Sequence, residues 1–156
     1  MTEQEFDEIV TLRSVLEPLA LESARSHATP KDLKDLSRRL GKMESLARSG
    51  DQRSYIQMDY EFHVAIWELS RRPLLAEVLK RISAPVFAFE SIVEERYRRA
   101  HYDMLSDARA HALLVEYLGG KTDKGAHACL QPVLELATHA EKPIVFERRR
   151  GSRVLQ

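Results

Sequence analysis

The stretch Ile56-Gln57-Met58-Asp59-Tyr60-Glu61-Phe62-His63-Val64-Ala65-Ile66-Trp67-Glu68-Leu69 reads as one strongly helical segment. Asp59 and His63 are four residues apart, so a helix stacks the carboxylate and the imidazole on one face. Ile56, Met58, Phe62, Val64, Ala65, Ile66, Trp67 and Leu69 set that pair against a core, where an unpartnered carboxylate is costly. Two arrangements remove the cost: a hydrogen-bonded Asp–His pair local to the helix, or a divalent metal gripped by both side chains.

The same period extends in both directions, and nothing reads as an alternating strand. Ile9, Leu12, Val15, Leu16, Leu19, Ala20 and Ala24 line one face of a first helix from about Thr2 to His27. Thr29-Pro30 supplies an N-cap followed by proline at the first helical position, opening a second helix through about Arg48. Its stripe is Leu33, Leu36, Leu40, Met43 and Leu46. Gly50-Asp51 ends that helix and caps the third, which stops near Ser70. Pro73 opens a fourth, and Pro85 is expected to start or kink a fifth over about Val86 to His101. The charged finish of that fifth helix, Glu94 to Arg99, reads as a solvated face. A sixth helix from Asp107 is closed by Gly119-Gly120, and a seventh spans about Thr122 to Ala140, interrupted at Pro132. The expected fold is all-α, an antiparallel bundle of six to seven helices enclosing a pocket. It occupies residues 1–142 as one domain, with a flexible tail over 143–156 that holds Arg148-Arg149-Arg150.

At 156 residues the chain is long enough to bury a core without staples. Lys and Arg total 24 and Asp and Glu total 24, so no net field favours nucleic acid or an anionic membrane. The single cysteine, Cys129, excludes an intrachain disulfide framework and a multi-cysteine zinc site. No apolar run reaches transmembrane length, and the start Met1-Thr2-Glu3-Gln4-Glu5 is acidic where a signal peptide is basic. These features point to the cytoplasm.

Six histidines are present. His27 lies at a helix end, where it complements the negative pole of the dipole, and His101 sits beside the charged run. His111 differs, because Ala108, Ala110, Ala112, Leu114 and Val115 surround it in an otherwise apolar helix. Two helices that each offer inward imidazole or carboxylate groups are the way metal sites are built in bundles.

Leu12-Arg13-Ser14-Val15-Leu16-Glu17-Pro18-Leu19-Ala20, Thr29-Pro30-Lys31-Asp32-Leu33, Gly50-Asp51, Asp59-Tyr60-Glu61-Phe62-His63 and His111-Ala112-Leu113-Leu114 follow one another in order. With Leu69-Ser70 and Pro73-Leu74-Leu75 between them, this series resembles the ligand-sensing C-terminal (FCD) domain of FadR-type GntR transcription regulators over about residues 8 to 135. The resemblance implies a bundle around a divalent metal held by one aspartate and three histidines. By position Asp59, His63 and His111 are three of the ligands. A gapless reading puts Val133 at the fourth, with His127 and His139 six residues to either side; His139 is taken as the fourth ligand. Zinc is the expected ion, with nickel and manganese as alternatives. The implied effector is a small carboxylate drawn by the metal, and Arg13 matches a position from which an arginine reaches the family's pocket. The competing reading of Arg13 is a surface salt bridge with Glu17, four residues on in the same helix.

The resemblance also implies a homodimer that relays effector binding to winged-helix DNA-binding domains. That half of the family's architecture is missing from this chain, so contact with DNA is expected only through it. Ser70-Arg71-Arg72-Pro73 stands where the family often places glycine and asparagine. An enzyme is not expected: the repeated Glu-x-x-His of di-iron bundles, adjacent His-Asp pairs, a Gly-rich phosphate loop and a Ser/His/Asp arrangement are all absent. The alternatives are a metal-free helical interaction bundle and a helical metalloenzyme.

Overall fold

Four of the described helices start where a side chain satisfies the first free backbone amides. In the computed structural model, which describes residues 1–92 and 103–136, Thr2 caps α1 (Glu3–Arg25) and Glu5 reaches back to complete a capping box. Thr29 and Asp32 do the same for α2 (Pro30–Ser49), with Pro30 in the first turn. Gly50, at φ 73°, ends α2 in the left-handed conformation that glycine tolerates, and Asp51 accepts from the Ser54 amide to begin α3 (Gln52–Leu69). After α4 (Pro73–Ile92), Asp103 caps α5 (Met104–Leu118), and a last described helix, α6, covers 126–136. Among the described residues there are six helices and no strand.

The expected boundaries shift in three places. Pro85 does not start a new helix; α4 runs through it to Ile92. Ser83, Val86 and Phe87 are buried on the same face as Leu79, and that packing outweighs the roughly 3 kcal/mol that an interior proline costs. α6 likewise runs through Pro132 and begins at 126 rather than Thr122. α5 begins three residues before Asp107, because Asp103 takes both the Leu105 and Ser106 amides. The charge run Glu94 to Arg99, His101, His139 and the tail lie outside the described residues.

α3 is the central element. Its buried positions Gln52, Tyr55, Ile56, Asp59, Phe62, His63, Ile66 and Trp67 recur at three- and four-residue steps, and it packs on α1, α2 and α4. α5 packs on α2 and α1, so it faces α3 across the middle of the bundle. One apolar cluster joins α2, α3, α5 and α6 through Leu36, Met43, Phe62, Leu114, Leu130 and Val133. A second joins α1, α3 and α4 through Ala20, Trp67, Ala76 and Leu79. Where they meet, a group of ionisable side chains is buried.

Candidate metal centre

α3 carries Asp59 and His63 to that seam on one face, and α5 brings His111 from across the core. His63 Nε2 lies 3.1 Å from His111 Nε2. Asp59 Oδ1 lies 2.9 Å from His111 Nε2 and 3.5 Å from His63 Nε2. His63 is 2% exposed and His111 0%. The Phe62 ring abuts His111 edge-on, while Trp67 and Phe87 enclose His63.

The far nitrogens of both imidazoles are already committed. His111 Nδ1 is 2.8 Å from the Asp107 carbonyl oxygen, and His63 Nδ1 is 3.0 Å from Glu17 Oε2. Carbonyl and carboxylate oxygens only accept, so in the neutral rings both Nδ1 atoms carry the proton and both Nε2 atoms present lone pairs. Two nitrogen lone pairs and a carboxylate oxygen then converge within hydrogen-bonding distance, an arrangement that needs a positive charge between them. Although His111 Nε2 is close, Asp59 Oδ1 has no properly directed hydrogen bond and is buried. Separations of this size suit three ligands that share one ion at about 2.0–2.2 Å, the bond length of zinc to imidazole and carboxylate. Asp59, His63 and His111 thus fit a divalent cation.

Behind the three stand Glu17, which the sequence offered only as a surface partner of Arg13, and Asp107, which it did not single out. Glu17 on α1 is 2% exposed and accepts from Arg13 Nε at 2.5 Å through its other oxygen. Asp107 accepts a 2.6 Å hydrogen bond from the Tyr55 hydroxyl. With carboxylates ionised and imidazoles neutral, Arg13 against Glu17, Asp59 and Asp107 leaves these groups two negative charges, the complement of a divalent ion. A signal for Asp107 was present: Asp107 and His111 repeat the Asp-x-x-x-His spacing of Asp59 and His63.

The field is strong. Burial pushes the Glu17 carboxyl up, but Arg13 and His63 outweigh it and hold the group at about 2. Burial likewise opposes ionisation of Asp59, yet His111, His63 and Arg13 keep it below the usual carboxylate range. For His111, burial favours the neutral ring, and Asp107 with Asp59 overrides it, pushing the group up to about 9.

The expected pair between Arg13 and Glu17 is formed, but it is buried rather than on the surface, and Arg13 also lies 5.3 Å from the centre of the Phe87 ring. Val133 is buried in the apolar cluster that contains Phe62 and Leu114. His127 is exposed, beside Val10, Ser14 and Pro18 in a shallow groove between α1 and α6, and does not join the cluster. His27 donates its Nδ1–H to the Ser23 carbonyl oxygen at the end of α1, as its position predicts.

The HTH-type transcriptional regulator McbR of Escherichia coli strain K12 is 26% identical over 132 residues, which cover 85% of this chain and 59% of that protein. The solved structure of E. coli McbR/YncC shares the fold with a TM-score of 0.76 at 25% identity, over 86% of this chain and 66% of that one. The chain therefore spans less than two thirds of the length of the relative it matches. Residues 8–136, which contain the whole cluster from Arg13 to His111, match the FCD domain. A helical bundle with this order of elements and this extent of match identifies the chain as a member of the FCD domain family.

Proposed function

We propose that this chain is the effector-sensing domain of a GntR-type transcription regulator, built around a divalent metal held by Asp59, His63 and His111. The observation that carries the reading is the convergence of three ligand atoms, from Asp59, His63 and His111, in a buried site among the described residues. Bound there, a metal supplies a positive centre with open coordination positions, to which a small hydroxy, keto or sugar acid is drawn. Zinc suits imidazole and carboxylate donors; nickel and manganese are the alternatives. Arg13 is the proposed second contact for the acid, which would share the guanidinium with Glu17. His139 remains the proposed fourth ligand.

The chain acts as a sensor and not as an enzyme. It is proposed to work in the cytoplasm as a homodimer, passing effector binding to DNA through a winged-helix domain. The name of the E. coli relative supports the regulatory role. Among the described residues no helix is long and apolar enough to cross a membrane. A surface for the second copy is offered by Leu12, Val15 and Leu19 of α1 and by Leu74 and Val78 of neighbouring α4, all solvent-exposed.

Val133 favours a second reading, a metal-free relative in which a proton on His111 fills the site. Elemental analysis of the gently purified chain, repeated on His63→Ala, decides between them. Stoichiometric zinc, nickel or manganese that is lost in the variant is the expected result. Metal-free protein that added divalent ions do not stabilise against heat rules the metal out.

A further inference from the structure

We propose that Glu17 is a positioning residue for the metal, holding His63 by Nδ1 so that its Nε2 stays aimed at Asp59 and His111. The proposal rests on the metal reading above and extends it from the residues that touch the ion to the helix that touches none of it.

A histidine ring on a helix has two nitrogens and a broad χ2, so nothing local to α3 decides which nitrogen faces the cluster. Glu17 decides it. Its Oε2 lies 3.0 Å from His63 Nδ1, and a carboxylate oxygen there requires a proton on that nitrogen, which leaves Nε2 as the donor to metal. Glu17 is itself fixed: its Oε1 accepts from Arg13 Nε at 2.5 Å, and the Arg13 guanidinium rests over the Phe87 ring. The two imidazoles are therefore supported differently. His111 Nδ1 donates to the Asp107 carbonyl, with the Asp107 carboxylate further off at 3.6 Å, whereas His63 Nδ1 meets a carboxylate oxygen directly at 3.0 Å, and a carboxylate bonded behind an imidazole raises its strength as a ligand.

Position gives this support a second consequence. Arg13 and Glu17 belong to α1, while Asp59 and His63 belong to α3 and His111 to α5. Glu17 is thus the fastening between α1 and a centre whose ligands lie elsewhere in the bundle, through an ion pair and a hydrogen bond excluded from water.

The test uses Co2+ alone as the probe, titrated into the full chain and followed by its visible absorption. Glu17→Gln keeps the size and an acceptor oxygen but removes the charge. The expected result is cobalt binding about 10- to 100-fold weaker than in the wild type, with an unchanged spectral shape because the ligands are the same. Thermal melting without metal shows whether Glu17→Gln is folded. A folded Glu17→Gln chain that binds Co2+ within about twofold of wild type, while His63→Ala abolishes binding, overturns the positioning role and leaves the metal reading standing. A wild-type chain that takes up no Co2+ overturns both. Nitrogen NMR of the zinc-loaded wild-type chain needs no variant: His63 with Nδ1 protonated and Nε2 bound is expected, and the opposite tautomer rejects the proposal.

Discussion

His63 Nε2 and His111 Nε2 stand 3.1 Å apart in the middle of the bundle, each on a ring whose other nitrogen is held by an acceptor. Two such nitrogens repel unless a cation or a proton lies between them, so proton and metal compete for one place.

That competition sets a pH dependence. His111 titrates at about 9 in the metal-free chain, above the ordinary value near 6.5. A raised value means that the charged ring stabilises the metal-free fold fully below about pH 6.5 and ceases to do so as pH rises through about 9. Metal must displace this proton, so affinity for Zn2+ should fall by about tenfold for each unit of pH lowered from 8 to 6. Calorimetric titration in buffers of different ionisation enthalpy should show about one proton released per ion. Binding with no proton release contradicts this account.

The Arg13–Glu17 pair is worth more than a surface contact, because both partners are excluded from water. Arg13→Ala leaves the buried Glu17 carboxylate without its guanidinium partner and should cost about 3 kcal/mol in urea unfolding. The double variant Arg13→Met, Glu17→Met removes both charges and should recover at least about 1 kcal/mol of that loss. A loss under about 0.5 kcal/mol for Arg13→Ala places the pair with ordinary surface ion pairs.

Val133→His tests whether position 133 faces the proposed metal site. Val133→His buries an imidazole in an apolar cluster and should lower metal-free stability by about 1–3 kcal/mol. If the position faces the ion, zinc restores the loss and the variant holds the metal more tightly than wild type in competition with a chelator. Equal destabilisation with and without zinc shows that Val133 faces elsewhere.

Arg71 adopts φ 53°, a conformation that costs a side-chain-bearing residue energy. This is the tight connection between α3 and α4 where glycine or asparagine was expected from the family. Arg71→Gly should raise stability by about 0.5–1 kcal/mol, seen as a higher urea midpoint at unchanged slope. A lower midpoint shows that the arginine side chain contributes more than its backbone costs.

Much of this was legible in the chain itself. Thr29-Pro30 and Gly50-Asp51 locate helix ends because capping depends on a few adjacent residues, and the structure places caps there. Asp59 and His63 were readable as a pair because a helix brings residues four apart together whatever surrounds it. Pro85 misled for the complementary reason: its local cost is real, yet burial of Val86 and Phe87 against neighbouring helices overrides it.

What tertiary structure alone decided is everything that depends on which helix faces which. Periodicity assigns Leu12, Val15 and Leu19 to the same apolar face as Ala20 and Ala24, but packing leaves the first three in solvent and buries the other two. It also turns Arg13 and Glu17 inward as a buried pair, aims Glu17 at His63, and seats Asp107 between Tyr55 and His111. Local sequence determines where helices begin, end and place neighbours four residues apart, because those energies are local. The partners of a buried charge lie on other helices, and only the packed bundle brings them within reach.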